Sequence, residues 1–175
     1  QADFLVDYPY ESGGNILISQ ANALATAGTL MPEFKNAEKW METGYQILSE
    51  EVQNQIMSDG WHKEMSLHYH IGIVADFYEA MKLAEANQLS SKLPSNFTEP
   101  LRKAAEVVMH FTYPNYFSKG SDNVVPMFND SWSRTRNVLK NTNFKQYVEM
   151  FPDSEELKYM QTAGNGGTPQ GHTPN

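Results

Sequence analysis

The stretch DGWHKEMSLHYH, Asp59 to His70, gathers His62, Glu64, His68, Tyr69 and His70, with Asp59 and Lys63 beside them. These side chains bind metals or move protons, and three chemistries are open. The first is a metal site, since His62, Glu64, His68 and His70 are all acceptable zinc ligands. Their spacing matches neither HExxH nor its reverse. In a helix beginning near residue 67, His68 and His70 diverge by about 200° and cannot share one ion. No metal is expected here. The second is the solvated start of a helix, with Ser66 as N-cap and Glu64 favourably placed near the positive end of the dipole. The third is acid/base chemistry on Tyr69. Three residues into a helix capped by Ser66, its phenol would sit in the field of the helix terminus. That field and nearby cations are expected to lower its pKa toward the range of a useful base. His68 and His70 would then supply charge or relay a proton, in a reaction that removes a carbon-bound proton.

The elements that position this stretch read as helix after helix. The first fourteen residues, ending YESGG, read as a loop. NILISQANALATAGTLM predicts a helix over 15–30, and its many small residues suggest close packing against a neighbour. Trp40, Gly44, Ile47, Leu48, Val52 and Ile56 recur at helical spacing, which predicts a helix over 36–57 capped by Asn36 and terminated by Asp59-Gly60. Ile71, Val74, Phe77, Tyr78, Met81 and Ala84 mark a helix over 67–87. A linker, LSSKLPSNFT, leads to a helix over 98–112 with Pro100 in its first turn. A long aromatic loop covers 113–130. Shorter helices are expected over 132–139, 143–149 and 154–161. Antiparallel helix pairs with short joints and no convincing strand imply an all-α fold, and an α/α toroid fits better than a TPR or HEAT solenoid. The helical domain should occupy 1–162, followed by a Gly/Pro-rich tail or linker over 163–175.

Composition narrows the function. The net charge of −8 argues against general nucleic-acid binding, and no apolar run approaches membrane-span length. The absence of cysteine excludes disulfides and thiolate metal sites. The chain starts at Gln1, without a recognisable signal peptide, and reads as a mature product or a piece of a longer protein. A locally basic stretch, with Arg134, Arg136, Lys140 and Lys145 and no acid between Ser131 and Val148, would offer an anion a favourable field. Tyr113, Tyr116, Phe117 and Trp132 could stack on sugar rings or simply pack.

The ordered motifs GGN at 13–15, MPEFK at 31–35, DG at 59–60, EMSLHYH at 64–70 and PMFNDSW at 126–132 resemble those of heparinase II/III-type polysaccharide lyases, most closely the heparinase III-like ones. The resemblance covers nearly the whole chain. It implies an incomplete α/α toroid that works with a C-terminal β-sandwich domain, and β-elimination on a uronic-acid-containing polysaccharide. It also implies that Asn15 binds the uronate carboxylate and that Tyr69 is the acid/base. His70 and Glu64 fall on matching positions and would support them, a histidine of the β-domain would assist, and His68 would add to this support by the acid/base reading above. Asp130 and Trp132 would line the cleft, and the charge pattern, independently of the resemblance, makes Arg134 and Arg136 candidates for binding an acidic substrate. The chain departs from the family pattern at Ile16, where relatives often carry histidine.

The resemblance implies a heparan-sulfate-like glycosaminoglycan as substrate, no cofactor, a periplasmic or secreted bacterial location, and little activity from these 175 residues alone. Partners would be the acidic polysaccharide and the β-sandwich domain, with no nucleic acid or membrane. The alternatives are a lyase for alginate or another polyuronate, an α/α-toroid glycoside hydrolase using Glu64 and Asp130 as its carboxylate pair, and a non-catalytic glycan-binding module.

Overall fold

The computed structural model describes residues 1–113, 117, 125–131 and 141–169. Among them it is wholly helical: α1 Ala2–Asp7, α2 Gly14–Leu30, α3 Ala37–Gln55, α4 Leu67–Ala86, α5 Thr98–His110, α6 Asn141–Met150 and α7 Glu155–Gln161, with a 3-10 turn at Ser90–Lys92. The only β-type pairing among the described residues is one isolated bridge between Ile56 and His62. The expected helix over 132–139 lies outside the described residues.

The periodic stripes seen in the sequence are the buried faces. Leu48 and Val52 of α3, Val74 and Phe77 of α4, Leu101 and Val108 of α5, and Phe144 and Tyr147 of α6 join one hydrophobic core. Helices α2 and α3 approach most closely through glycine. A Cβ on Gly44 would lie 2.4 Å from the Ala25 nitrogen, and one on Gly28 would lie 2.3 Å from the Met41 nitrogen. The small residues of α2 therefore let two backbones come together, as expected.

Two local expectations are corrected. The first residues are not all loop, because Ala2–Asp7 forms α1. Ala2, Leu5 and Val6 pack on a second small cluster of Leu24, Ala37 and Trp40. Asn36 stands at the N-cap position of α3 without a capping hydrogen bond from its side chain. Its Nδ2 instead donates to Asp3 Oδ1 at 2.8 Å, and Trp40 Nε1 donates to the same oxygen at 2.7 Å. These two donors hold the Asp3 carboxyl below its usual range. A tertiary acceptor has taken the side chain that a local reading assigned to the cap.

Candidate active site

Three segments distant in sequence meet at the start of α4. The first is the glycine turn before α2. Gly13 and Gly14 have φ of 67° and 72°, a left-handed backbone that L side chains seldom adopt. The turn also needs Gly14 for space, since a Cβ there would stand 2.1 Å from Glu64 Oε1. The Glu64 carboxylate fills that room and accepts the Asn15 backbone N–H at 2.9 Å. This satisfies one of the amides that a helix start leaves without an intrahelical partner. From the other side, Gln55 Nε2 donates to the Gly14 carbonyl at 3.1 Å.

The second segment is the connection from α3 to α4. Asp59 Oδ1 accepts the Trp61 N–H at 3.1 Å, and Gly60 adopts φ 90° against the Lys103 backbone. His62 is fully buried, and its Nε2 meets Gln55 Oε1 at 2.9 Å. The His62 backbone N–H donates to His70 Nδ1 at 3.1 Å, and His70 Nε2 donates to the Ala104 carbonyl on α5 at 2.9 Å. His70 is thus a neutral imidazole with its proton on Nε2. Burial pushes both His62 and His70 down to about 4. The expectation that His70 supplies charge or relays a proton is corrected: both its nitrogens are engaged inside the core. His68, half-buried, sets its ring edge-on to Tyr69 at 5.4 Å between centroids.

The third segment is Asn129-Asp130-Ser131, which meets the start of α4. Asn129, at φ 49°, donates through Nδ2 to the carbonyls of Met65 at 3.0 Å and Glu64 at 3.2 Å. Ser131 Oγ lies 2.8 Å from Ser66 Oγ and receives the His68 N–H at 3.4 Å. Ser66 is at the N-cap position as expected, but its side chain makes no capping hydrogen bond. Ser131 reaches the orphan amide instead. Asp130 stands where its carboxylate acts on the Tyr69 phenol.

That placement reverses an electrostatic expectation. The Tyr69 pKa is raised, not lowered. The Asp130 charge is the largest cause, partial desolvation comes next, and the charge of Glu64 adds a smaller push in the same direction. The two carboxylates beside it favour the protonated phenol.

Asn15, Glu64, His68, Tyr69, His70 and Asp130 are therefore gathered around one helix start. Trp132, Arg134, Arg136 and Tyr116 lie outside the described residues. Tyr113 and Phe117 are exposed, whereas Trp61, Phe111 and Phe128 form an aromatic cluster beside His70. Among the described residues no three acidic or histidine side chains converge as a metal site. Gln55, Asn129 and Ser131 were not singled out in the sequence. Gln55 had a signal: with Leu48 and Val52 it occupies a 48-52-55 stripe, a polar residue on a buried face. Asn129 and Ser131 lie inside the NDSW motif, where only the acid and the aromatic drew notice.

The sequence and fold match known proteins along nearly the whole chain. The family model described as Heparinase II/III N-terminus matches residues 1–159. A heparin-sulfate lyase of Bacteroides thetaiotaomicron is 97% identical over 175 residues, which is 100% of this chain and 25% of that protein. One from Pedobacter heparinus is 29% identical, again across 100% of this chain and 25% of its own length. A crystal structure of heparinase III superposes with a TM-score of 0.89 at 96% identity, covering 99% of this chain and 26% of that one. A heparan sulfate lyase mutant from Pedobacter heparinus gives a TM-score of 0.74 at 28% identity, covering 97% and 25%. The chain spans about a quarter of the length of the curated relatives it matches.

Proposed function

The chain belongs to the Heparinase II/III N-terminus family, and on that premise we propose that it is the helical part of a polysaccharide lyase that cleaves heparan-sulfate-like glycosaminoglycans by β-elimination. The observation that carries this reading is the convergence of Asn15, Glu64, Tyr69 and Asp130 on one helix start, from three segments far apart in sequence.

In this mechanism the Asn15 amide donates to the uronate carboxylate. The Tyr69 phenolate removes the proton from the carbon beside that carboxylate, and the electron pair moves into the carboxyl group as an enediolate. Donors fixed in advance on the developing charge lower the barrier. Collapse of the enediolate forms the carbon–carbon double bond and breaks the bond to the glycosidic oxygen, which takes the proton back from Tyr69. Within this chain Asp130 and Glu64 keep the phenol protonated. The active base therefore calls for a cationic or proton-accepting group from elsewhere in the protein, the role the family resemblance gives to a β-domain histidine. A hydrolase using Glu64 and Asp130 is less well supported, because Glu64 is committed to the Asn15 amide. No helix among the described residues is long and apolar enough to cross a membrane, and a periplasmic or secreted location is the proposed setting.

The test uses the full-length protein and the ultraviolet absorbance of unsaturated product from heparan sulfate, hyaluronan and alginate in parallel. Tyr69→Phe should lower turnover by orders of magnitude with a modest change in substrate binding. Asn15→Ala should lower it by roughly 100- to 1,000-fold, as for loss of one oxyanion-hole donor. Full activity in Tyr69→Phe, or a hydrated rather than unsaturated product, would overturn the reading.

A further inference from the structure

The peptide unit between Gly14 and Asn15 is held at both ends by side chains from other segments. Its carbonyl accepts from Gln55 Nε2 at 3.1 Å and its N–H donates to Glu64 at 2.9 Å. Gln55 is fully buried at the C-terminal end of α3. Its amide has no freedom to turn over, because Oε1 is engaged by His62 Nε2 at 2.9 Å while Nε2 also donates to Glu51. A buried amide is tolerated only when its groups are paired, and here the pairing fixes its direction. His62 is tied in turn to His70, and His70 to the α5 backbone. The orientation of one peptide is thereby referred to three helices.

We propose that Gln55 and Glu64 form a clamp on the Gly14–Asn15 peptide that aims the Asn15 side chain, making Gln55 a positioning residue for carboxylate recognition. This rests on the reading of Asn15 as the uronate ligand. Gln55 touches no substrate and acts through the direction of its neighbour. A misplacement of about 1 Å in a positioned group costs as much as 100-fold in rate. The carboxylate gains charge during the reaction, so a misaimed Asn15 should harm turnover more than binding.

The experiment is a double-mutant cycle in the full-length protein, with kcat and KM for heparan sulfate measured by unsaturated-product absorbance. Gln55→Met keeps the side-chain length and removes both hydrogen-bonding ends. It should lower kcat by roughly 10- to 100-fold with KM within about threefold. In an Asn15→Ala background the same substitution should change kcat by less than about threefold, since residues acting through one another are not additive. Should Gln55→Met fail to fold, Glu64→Ala removes the acceptor of the Asn15 N–H on the other side of the same peptide, and the same coupling is expected. Losses that multiply across the two backgrounds, or wild-type kcat in Gln55→Met, overturn the clamp while leaving the lyase reading intact. Undiminished turnover in Asn15→Ala alone sinks the uronate reading and the clamp with it.

Discussion

The Asp130 carboxylate acts on the Tyr69 phenol as the largest influence raising its pKa, which places the phenol of one motif under the control of another. Asp130 is carried by a segment whose neighbours on both sides are fastened to the start of α4, Asn129 through the Glu64 and Met65 carbonyls and Ser131 through Ser66. A carboxylate held this way is a fixed charge, and it acts on Tyr69 whether or not substrate is present. Within this chain the Tyr69 phenol is thus held toward its protonated form.

Asp130→Asn should therefore lower the pKa of Tyr69. Removing a like charge while keeping the side-chain shape makes the phenolate easier to form. Tyrosinate absorbance, read as the difference between Asp130→Asn and Asp130→Asn/Tyr69→Phe, should appear at lower pH than the corresponding difference in the parent protein. The rising limb of kcat/KM should move to lower pH in step. A titration that stays in place, or moves up, would show that Asp130 does not govern Tyr69.

Ser131→Ala should destabilise the protein by about 1 kcal/mol, the usual cost of losing a helix cap. Ser66→Ala should cost a similar amount, because each hydroxyl is the other's partner at 2.8 Å. The double variant should cost less than the sum of the two, since both remove one interaction. Urea unfolding midpoints measure all three. Strict additivity would mean that the two hydroxyls do not work as a pair.

Helices α3 and α4 were legible because their apolar residues recur with the helical period and that period is what burial requires. Leu48, Val52, Val74 and Phe77 are all in the core. The side chains that went astray are polar ones whose partners lie far along the chain. Asn36 has an acceptor 33 residues away and Ser66 has one 65 residues away, and a local reading assigns such residues to the nearest free amide. Tyr69 is the same case in electrostatic form. The helix terminus visible in the sequence favours its anion, whereas Asp130 arrives from a distant loop and is the largest cause of a raised pKa. Motif order picked out residues that the fold gathers at one helix start, while the direction of the electrostatics there depended on tertiary contacts.

Gly44→Ala should separate α2 from α3. The added methyl would lie 2.6 Å from the Ala21 carbonyl and 2.4 Å from the Ala25 nitrogen, and those are backbone atoms that cannot swing aside. Overpacking of this kind costs about 1–3 kcal/mol, more than the fraction of a kcal/mol that alanine gains over glycine in a helix. The net effect should be a lower urea midpoint. Because α2 carries Asn15, lyase turnover in the full-length protein should fall as well. A stabilised Gly44→Ala variant would contradict the close approach.

Acid should unfold the protein through its buried histidines. His62 and His70 ionise near 6.5 when unfolded but only at about 4 in the fold, where burial disfavours the imidazolium. Between those values the unfolded chain binds protons that the folded chain refuses, so stability is present above about pH 6.5 and drains away as the pH falls toward about 4. Each histidine contributes a slope of up to about 1.4 kcal/mol per pH unit in that window. His62→Gln removes one of the two titrations and keeps a donor facing Gln55, so the pH dependence of its urea midpoint over this range should be roughly halved relative to the parent. An unchanged slope would mean that His62 takes up its proton in the folded state, against the dry pocket in which Gln55 holds it.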